Sequence, residues 1–416
     1  MGGADTPRGS VAAAETVGEI TPAAEAPPGP VVMVTPRWRR DGGVATHVMT
    51  SAAALAARGV EVHAVATMVD RDEPSTGVHV HESQSLHDRA APAEERLAGT
   101  LALGPAAVHL HQFEDPEVAA AIRRTAPLVL SMHGYSACTS GVHYFRPGQE
   151  CERAHGPGCV PNLLARGCAH TRNPSWFPRA YREATRAVAV IRQADIAISH
   201  SAVIDRHLAA NGAIRRAVVP LFATLAPAAG DGHEHRRRVV FAGRIVGAKG
   251  LHVLLRAMAE VEGELVVCGD GHERARAQAL AARLGIAARV AFRGWLPPDE
   301  LARELAAASV VAMPSLWPEP FGLIGIEAFG CGRPAVASDT GGVREWLDPG
   351  VNGLAVAPGR PQALAAALAE LLADPARQAQ MGEAGRRMVA ERFTESAHVE
   401  ALLAAYAAAR SAWERG

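Results

Sequence analysis

The sequence predicts an α/β protein built from two Rossmann-like, doubly wound domains that face each other across a cleft. Three observations carry this. Short β-branched runs alternate with Ala-rich helical runs from residue 31 onward, the pattern of a parallel sheet covered on both faces. The alternation comes in two series, separated by the Pro-, Ala- and Gly-rich interval "FATLAPAAGDGHEH" at 222–235, which reads as a linker. The chain of 416 residues is too long for one ordinary core and suits two domains.

Taken in order, residues 1–29 are rich in Ala, Pro, Gly and Glu and lack both a basic start and a continuous apolar core. They read as a disordered tail, neither signal peptide nor membrane anchor. The first domain, 30–221, opens on the strand "VVMVT", a helix through Met49 to Ala57 and the strand "VEVHAVAT". It continues with "AVHLH", "LVLSM" and "IAISH" and carries a Cys-rich insertion at 138–175. The second domain, 236–385, repeats the scheme in "RVVFAG", "ELVVCG", "RVAFRG", "SVVAMP" and "PAVAS". Ala- and Leu-rich helices close the chain, and 386–416 is expected to pack back across both domains. With 42 basic against 43 acidic side chains there is no field to attract nucleic acid. No run of about twenty apolar residues spans a bilayer. The expected location is cytoplasmic, with "RWRR" at Arg37–Arg40 as the point of peripheral contact with the inner face of a membrane.

Ligands of doubly wound sheets bind beyond the carboxyl ends of the strands, so the post-strand loops are where chemistry is sought. "GRIVGAKG" places Gly243 and Arg244 at a strand end and Lys249 at a helix start. Glycine lets backbone approach a ligand, and two cations beside a helix N-terminus suit a diphosphate; the bland reading is a charged turn in water. "CGDGHE" gives Gly269 and Gly271 the permissive backbone of a phosphate loop, weak evidence alone. In "SLWPEPFGLIGIEAFGCGRP", 315–334, a loop becomes a helix, so the leading amides near Phe321, Gly322 and Leu323 meet the positive end of the helix dipole. Glu327 lies inside the apolar helix, and its helical neighbours Leu323, Ile324, Gly330 and Cys331 offer no cation. An ionised carboxylate there needs a partner from elsewhere: a ribose diol, or an Arg or Lys of another element. Glu319, in the preceding loop, can reach the hydroxyls of a sugar beyond the diphosphate.

These motifs, followed by "PEPFGLIGIEAFGCGRPAVASDTGGVREWL" and "GVNGLAVAPGRPQAL", resemble those of the family 4 retaining glycosyltransferases of the GT-B fold. The resemblance covers residues 31–412, and two glutamates separated by seven residues, the first of them in Glu-Pro-Phe-Gly, are its specific signature. It implies that Arg244 and Lys249 neutralise a donor diphosphate, aided by the amides of Phe321, Gly322 and Leu323. Glu327 is implied on the ribose, Glu319 on the donor sugar, and the base near Arg293 to Leu296, Gly294 included, where contact is largely through backbone, with Gly243, Gly269 and Gly271 in the donor loops. In the first domain "RWRRDGGVATHVMTSAAALAARG" resembles the family's glycine-rich loop, so Gly42 and Gly43 should approach donor phosphate or acceptor. "LVLSMHGYSACTSG" puts His133 under the donor sugar. The implied activity is retaining transfer from a nucleotide-diphosphate sugar, UDP-sugar first and GDP-sugar second, to a hydroxyl of a glycan, lipid carrier or secondary metabolite. No metal or other cofactor is required for that chemistry. A sugar-nucleotide epimerase and a non-catalytic sugar-nucleotide sensor are the alternatives. The chain departs from the family in having "VVPLFATLAP" where many relatives carry a Pro-Asn-Gly turn.

Three further groups stand outside that scheme. His109 and His111 share a strand face and read as cleft-lining or structural. Asp70 and Asp72 in "VDRDEP" imitate an Asp-x-Asp metal site but sit in a charged loop and read as solvated. Cys138, Cys151, Cys159 and Cys168, with His143, His155 and His170 nearby, read as free thiols, with a four-thiolate structural zinc site as the alternative.

Overall fold

The computed structural model describes residues 15–16, 26–40, 42–70, 72–73, 76–141, 144–146, 149–165, 168, 174–225 and 237–416. The first sheet contains β1 (Glu15–Thr16), β2 (Val31–Trp38), β3 (Val62–Val69), β4 (Val78–Glu82), β5 (Ala107–His111) and β6 (Leu128–Ser131). A small antiparallel hairpin, β7 (Tyr144–Arg146) and β8 (Gln149–Glu150), intervenes before β9 (Ile196–Ser199) and β10 (Arg215–Val218) complete that sheet. The second sheet comprises β11 (Arg238–Ala242), β12 (Glu264–Cys268), β13 (Val290–Gly294), β14 (Val310–Met313), β15 (Ala335–Ser338) and β16 (Gly353–Val356).

Every pairing within the two large sheets is parallel. Such strands are buried on both faces, which is why they read as unbroken β-branched runs rather than as alternations. Strands β5, β6, β9, β14 and β15 are buried at every position.

Strand order places the cleft. The second sheet runs β13-β12-β11-β14-β15-β16 and the first β1-β10-β9-β6-β5-β2-β3-β4. Each order reverses once beside its first core strand, between β11 and β14 and between β2 and β5. A crevice opens outside the carboxyl ends of the strands at such a switch point. The loops after β11 and β14 are those holding Lys249 and Glu319; those after β2 and β5 hold Gly42 and follow His111.

The helix Pro375–Arg392 packs on Ile324–Gly330 and stays with the second domain, whereas Glu395–Glu414 lies on Gly43–Ala57 and on β5, β6 and β9. The return to the first domain is thus made by 395–414, a shorter segment than the expected 386–416. Thr394 starts it by accepting the Ala397 amide at 3.2 Å, an N-cap worth about 1 kcal/mol.

Of the segment expected to be a disordered tail, Glu15–Thr16 pairs with Arg215 and Arg216 at the sheet edge, and residues 1–14 and 17–25 lie outside the described residues. Of the linker, only 222–225 are described. The "RWRR" stretch offers no apolar anchor for a membrane: Trp38 is 1% exposed in the core, and Arg39 and Arg40 pair with Asp70 and Glu73. Among the described residues no helix is long and apolar enough to cross a membrane.

Candidate active site

Three successive loops of the second domain are laced backbone to backbone. Gly243 N donates to Cys268 O at 2.9 Å, Ile245 N to Asp270 O at 2.7 Å and Gly269 N to Gly294 O at 2.7 Å. This close approach demands glycine. A Cβ on Gly269, where φ is +137°, would stand 2.0 Å from the Gly243 carbonyl oxygen, and one on Gly271 2.3 Å from that of Ile245. Gly269→Ala is therefore expected to lower stability by at least about 1–3 kcal/mol and to weaken nucleotide binding, read by thermal unfolding with and without UDP. The Arg293 guanidinium turns to Glu304 at 3.2 Å. Arg244 is exposed on the loop after β11.

The loop after β14 brings Glu319 to Lys249. Lys249 Nζ lies 2.7 and 2.9 Å from the two oxygens of Glu319, the Ser315 hydroxyl donates to the same carboxylate, and Trp317 stands 5.5 Å from Nζ. Glu319 is 2% exposed. The sequence assigned these two side chains to adjacent parts of one ligand, and the fold puts them in contact. Next in the chain, the Phe321 carbonyl accepts Trp346 Nε1–H at 2.8 Å, which holds the turn into Ile324–Gly330. No side chain caps that helix.

Glu327 has a partner that the sequence did not disclose. Its carboxylate accepts the amides of Thr224 and Leu225, both at 2.9 Å, and the Thr224 hydroxyl at 2.7 Å. An Arg or Lys of another element, the alternative to a ribose diol, is not among these partners; the start of the interdomain connection stands there. Burial pushes the Glu327 carboxyl pKa up, and these three donors oppose the shift.

Across the cleft, Gly42 ends the loop after β2 and Gly43 starts the helix Gly43–Ala57. Nothing lies within 4 Å of a Cβ built on either, so neither glycine is required by packing and both leave open space. His133 follows β6, half-buried, its Nε2 3.0 Å from His111 Nδ1. His47, one turn into the helix, and His200, at the end of β9, stand beside it at ring distances of 5.6 and 5.0 Å. His109 is structural, held between Tyr406 Oη at 2.9 Å and Ser131 Oγ at 2.8 Å. Burial, reinforced by the neighbouring rings, holds His47, His111 and His133 well below the usual histidine range, so these rings are neutral at pH 7.

The two domains also touch directly. The Ser201 hydroxyl donates to the Pro320 carbonyl, the Ala202 amide to Glu345 at 2.6 Å, and Gly341 N to Glu150 Oε1 at 2.7 Å. Trp317 packs edge-on against Tyr135 at 6.1 Å. Through Glu150 the Cys-rich insertion reaches the loop beside Glu319. Its four cysteines are free and half-buried, and burial pushes the Cys168 thiol up to about 11. Among the described residues, the groups drawn close enough to hold a metal are His47/His133/His200 and Glu61/His63/His79, neither of which contains a cysteine. His143 and His170 lie outside the described residues. Asp70 accepts the Asp72 amide at 3.2 Å and faces Arg39, as a solvated loop would.

Sequence reasoning missed His47, His200 and the Thr224–Leu225 partner of Glu327. A signal for His200 was present: "IAISH" ends a strand in histidine much as "LVLSMH" does.

Two Rossmann-like domains whose switch points oppose each other, one lined by glycine loops with a Lys–Glu pair, define the GT-B class. Comparison with known proteins agrees. The sequence profile "Glycosyltransferase Family 4" matches residues 41–222 and "Glycosyl transferases group 1" matches 229–388. The chain belongs to the family 4 glycosyltransferases. It is 39% identical over 194 residues to the D-inositol 3-phosphate glycosyltransferase of Corynebacterium jeikeium, covering 44% of this chain and 46% of that one. It is 35% identical over 188 residues to the GDP-mannose-dependent alpha-(1-6)-phosphatidylinositol monomannoside mannosyltransferase of Mycolicibacterium smegmatis, covering 42% and 49%. These alignments span less than half the length of the curated relatives. Among solved structures, sucrose-phosphate synthase from Thermosynechococcus elongatus superposes with a TM-score of 0.71 at 23% identity, covering 89% of this chain and 96% of that one. Anabaena HepE in complex with UDP-glucose gives 0.69 at 20% identity, covering 90% and 98%. At those identities the likeness shows the fold.

Proposed function

We propose that the protein transfers a sugar from a nucleotide-diphosphate donor to a hydroxyl acceptor with retention of anomeric configuration. The observation that carries the reading is the convergence of Lys249 and Glu319 at the switch point of the second sheet. Donor binding divides this pair: the ammonium turns to the diphosphate, and the carboxylate accepts hydroxyls of the sugar. The donor bond breaks towards an oxocarbenium-like centre, and the leaving diphosphate takes the proton of the acceptor on the same face. Arg244, Lys249 and the amides at Phe321–Leu323 stabilise the developing charge. His133, a neutral ring, hydrogen-bonds the sugar from the first-domain side. Gly269, Gly271 and Gly294 give the nucleotide a backbone-lined wall, while Gly42 and Gly43 leave room opposite. UDP-sugar is the leading donor, since a structural neighbour holds UDP-glucose, and GDP-sugar is second, since a relative is GDP-mannose-dependent.

A panel of nucleotide sugars scored by thermal shift identifies the donor, and product analysis then reads transfer. His133→Ala is expected to keep donor affinity within a few-fold and to lower kcat by roughly 10²-fold. Donor binding with no transfer to any hydroxyl acceptor by the unaltered chain would instead favour a sensor, and release of an isomerised donor an epimerase.

A further inference from the structure

The sugar-transfer reading uses one ring of a histidine cluster that it does not otherwise explain. His47 packs edge-on against His200 at 4.9 Å and His398 at 5.0 Å, while His133 stacks on His200 at 5.0 Å. One nitrogen from each of His47, His133 and His200 lies within 4.8 Å of the others. Plain aromatic packing would satisfy a buried imidazole at both nitrogens, and this cluster does not.

Two backbone carbonyls fix the tautomers. His200 is 5% exposed, and its Nδ1 stands 2.9 Å from the Val219 carbonyl. A carbonyl only accepts, so Nδ1 carries the hydrogen and Nε2 a lone pair, and that buried Nε2 has no hydrogen-bond partner. The second carbonyl acts through a relay. His398 Nδ1 donates to Pro220 O at 2.7 Å, so its Nε2 accepts from Ser51 Oγ at 2.9 Å. Ser51 Oγ in turn accepts from His47 Nδ1 at 3.3 Å, which leaves the lone pair of His47 on Nε2. An imidazole whose far N–H is held by a carbonyl or hydroxyl is the usual outer-sphere arrangement of a metal-bound histidine. His133, bridged to His111, completes the triangle and is the least buried of the three.

We propose that His47, His133 and His200 form a three-nitrogen site for one borderline divalent transition-metal ion of the Zn²⁺ and Co²⁺ class on the first-domain floor of the cleft. Zn–N bonds of about 2.0–2.1 Å in tetrahedral geometry put ligand nitrogens roughly 3.4 Å apart, so the rings close by on the order of an ångström on binding. Three protein ligands leave a fourth position, and because His133 Nε2 is already bridged to His111, a bound ion and a sugar hydroxyl compete for its other nitrogen. Soft thiolates are absent from this set, so imidazole-preferring ions are favoured over Cu⁺.

The test uses the full chain, chelator-stripped, in a His79→Ala background that takes one ligand from the Glu61/His63/His79 group. Co²⁺ is titrated without nucleotide or acceptor and followed by visible absorption and calorimetry, so the result is independent of transferase activity. One equivalent is expected, with d–d bands of a nitrogen-ligated ion, and both His200→Ala and His47→Ala should weaken binding by at least about tenfold. Circular dichroism confirms that each variant folds; if His200→Ala does not, His47→Gln supplies the comparison. Absence of uptake, affinity unchanged in the folded variants, or a thiolate charge-transfer band placing the ion among Cys138, Cys151, Cys159 and Cys168 would each overturn the proposal.

Discussion

Lys249→Met is expected to lower kcat/KM for sugar transfer by roughly 10²- to 10³-fold, the cost of removing one preorganised charge donor from a transition state. Its ammonium stands against a carboxylate that is 2% exposed, so the single substitution also strands Glu319 without its cation. Stranding one member of a largely buried pair costs about 3–5 kcal/mol. Activity loss alone therefore does not separate a role on the diphosphate from a role in holding Glu319. Comparing Lys249→Met/Glu319→Gln with Glu319→Gln alone does, because the neutral amide needs no counter-ion and can still accept from Ser315, so Lys249 is removed where it no longer holds Glu319. Stability of the double variant should match that of Glu319→Gln, while its kcat/KM falls further by roughly 10²-fold. A double variant as active as Glu319→Gln would confine Lys249 to a structural part.

What could be read in advance follows the range of the interaction. Both sheets were legible because a strand buried on two faces writes itself as a continuous β-branched run. The glycine loops were legible because close backbone approach admits no other residue, as the 2.0 Å clearance at Gly269 shows. The Lys249–Glu319 pair spans 70 residues, yet both positions sit at strand ends that the topology must bring together. Glu327 marks the limit: its helix announced that a partner was needed, but the partner is backbone amide from 103 residues away, and amides leave no trace in side-chain chemistry. The crossing point of the C-terminal helices was blurred for another reason. Pro375–Arg392 and Glu395–Glu414 are separated by Phe393 and Thr394 alone, and the break shows only in the capping threonine. The histidine cluster draws on five separate elements, so no local spacing could reveal it.

Glu327→Gln is expected to have two separable effects, because the carboxylate serves the interdomain connection and one further acceptor position remains. An ionised carboxylate offers about four lone-pair sites, and Thr224 N, Thr224 Oγ1 and Leu225 N occupy three. The amide of glutamine turns a donor towards one of those donors, leaving a buried N–H unpaired at a cost of about 1–3 kcal/mol; a lower thermal midpoint should follow. On the proposed reading the fourth site accepts a ribose hydroxyl, a bond to a charged acceptor worth about 1.5–3 kcal/mol, or roughly ten- to a hundredfold in affinity. UDP and its 2′-deoxy and 3′-deoxy forms test this as a cycle. One deoxy form should bind the unaltered protein at least about tenfold more weakly than UDP, whereas Glu327→Gln should distinguish the two by much less. Thr224→Val, which removes only the hydroxyl on the connection, should lower the midpoint yet keep the full penalty for the missing ribose hydroxyl. Equal penalties in all three proteins would assign Glu327 to the connection alone, and the ribose would then be held by some other group of the cleft.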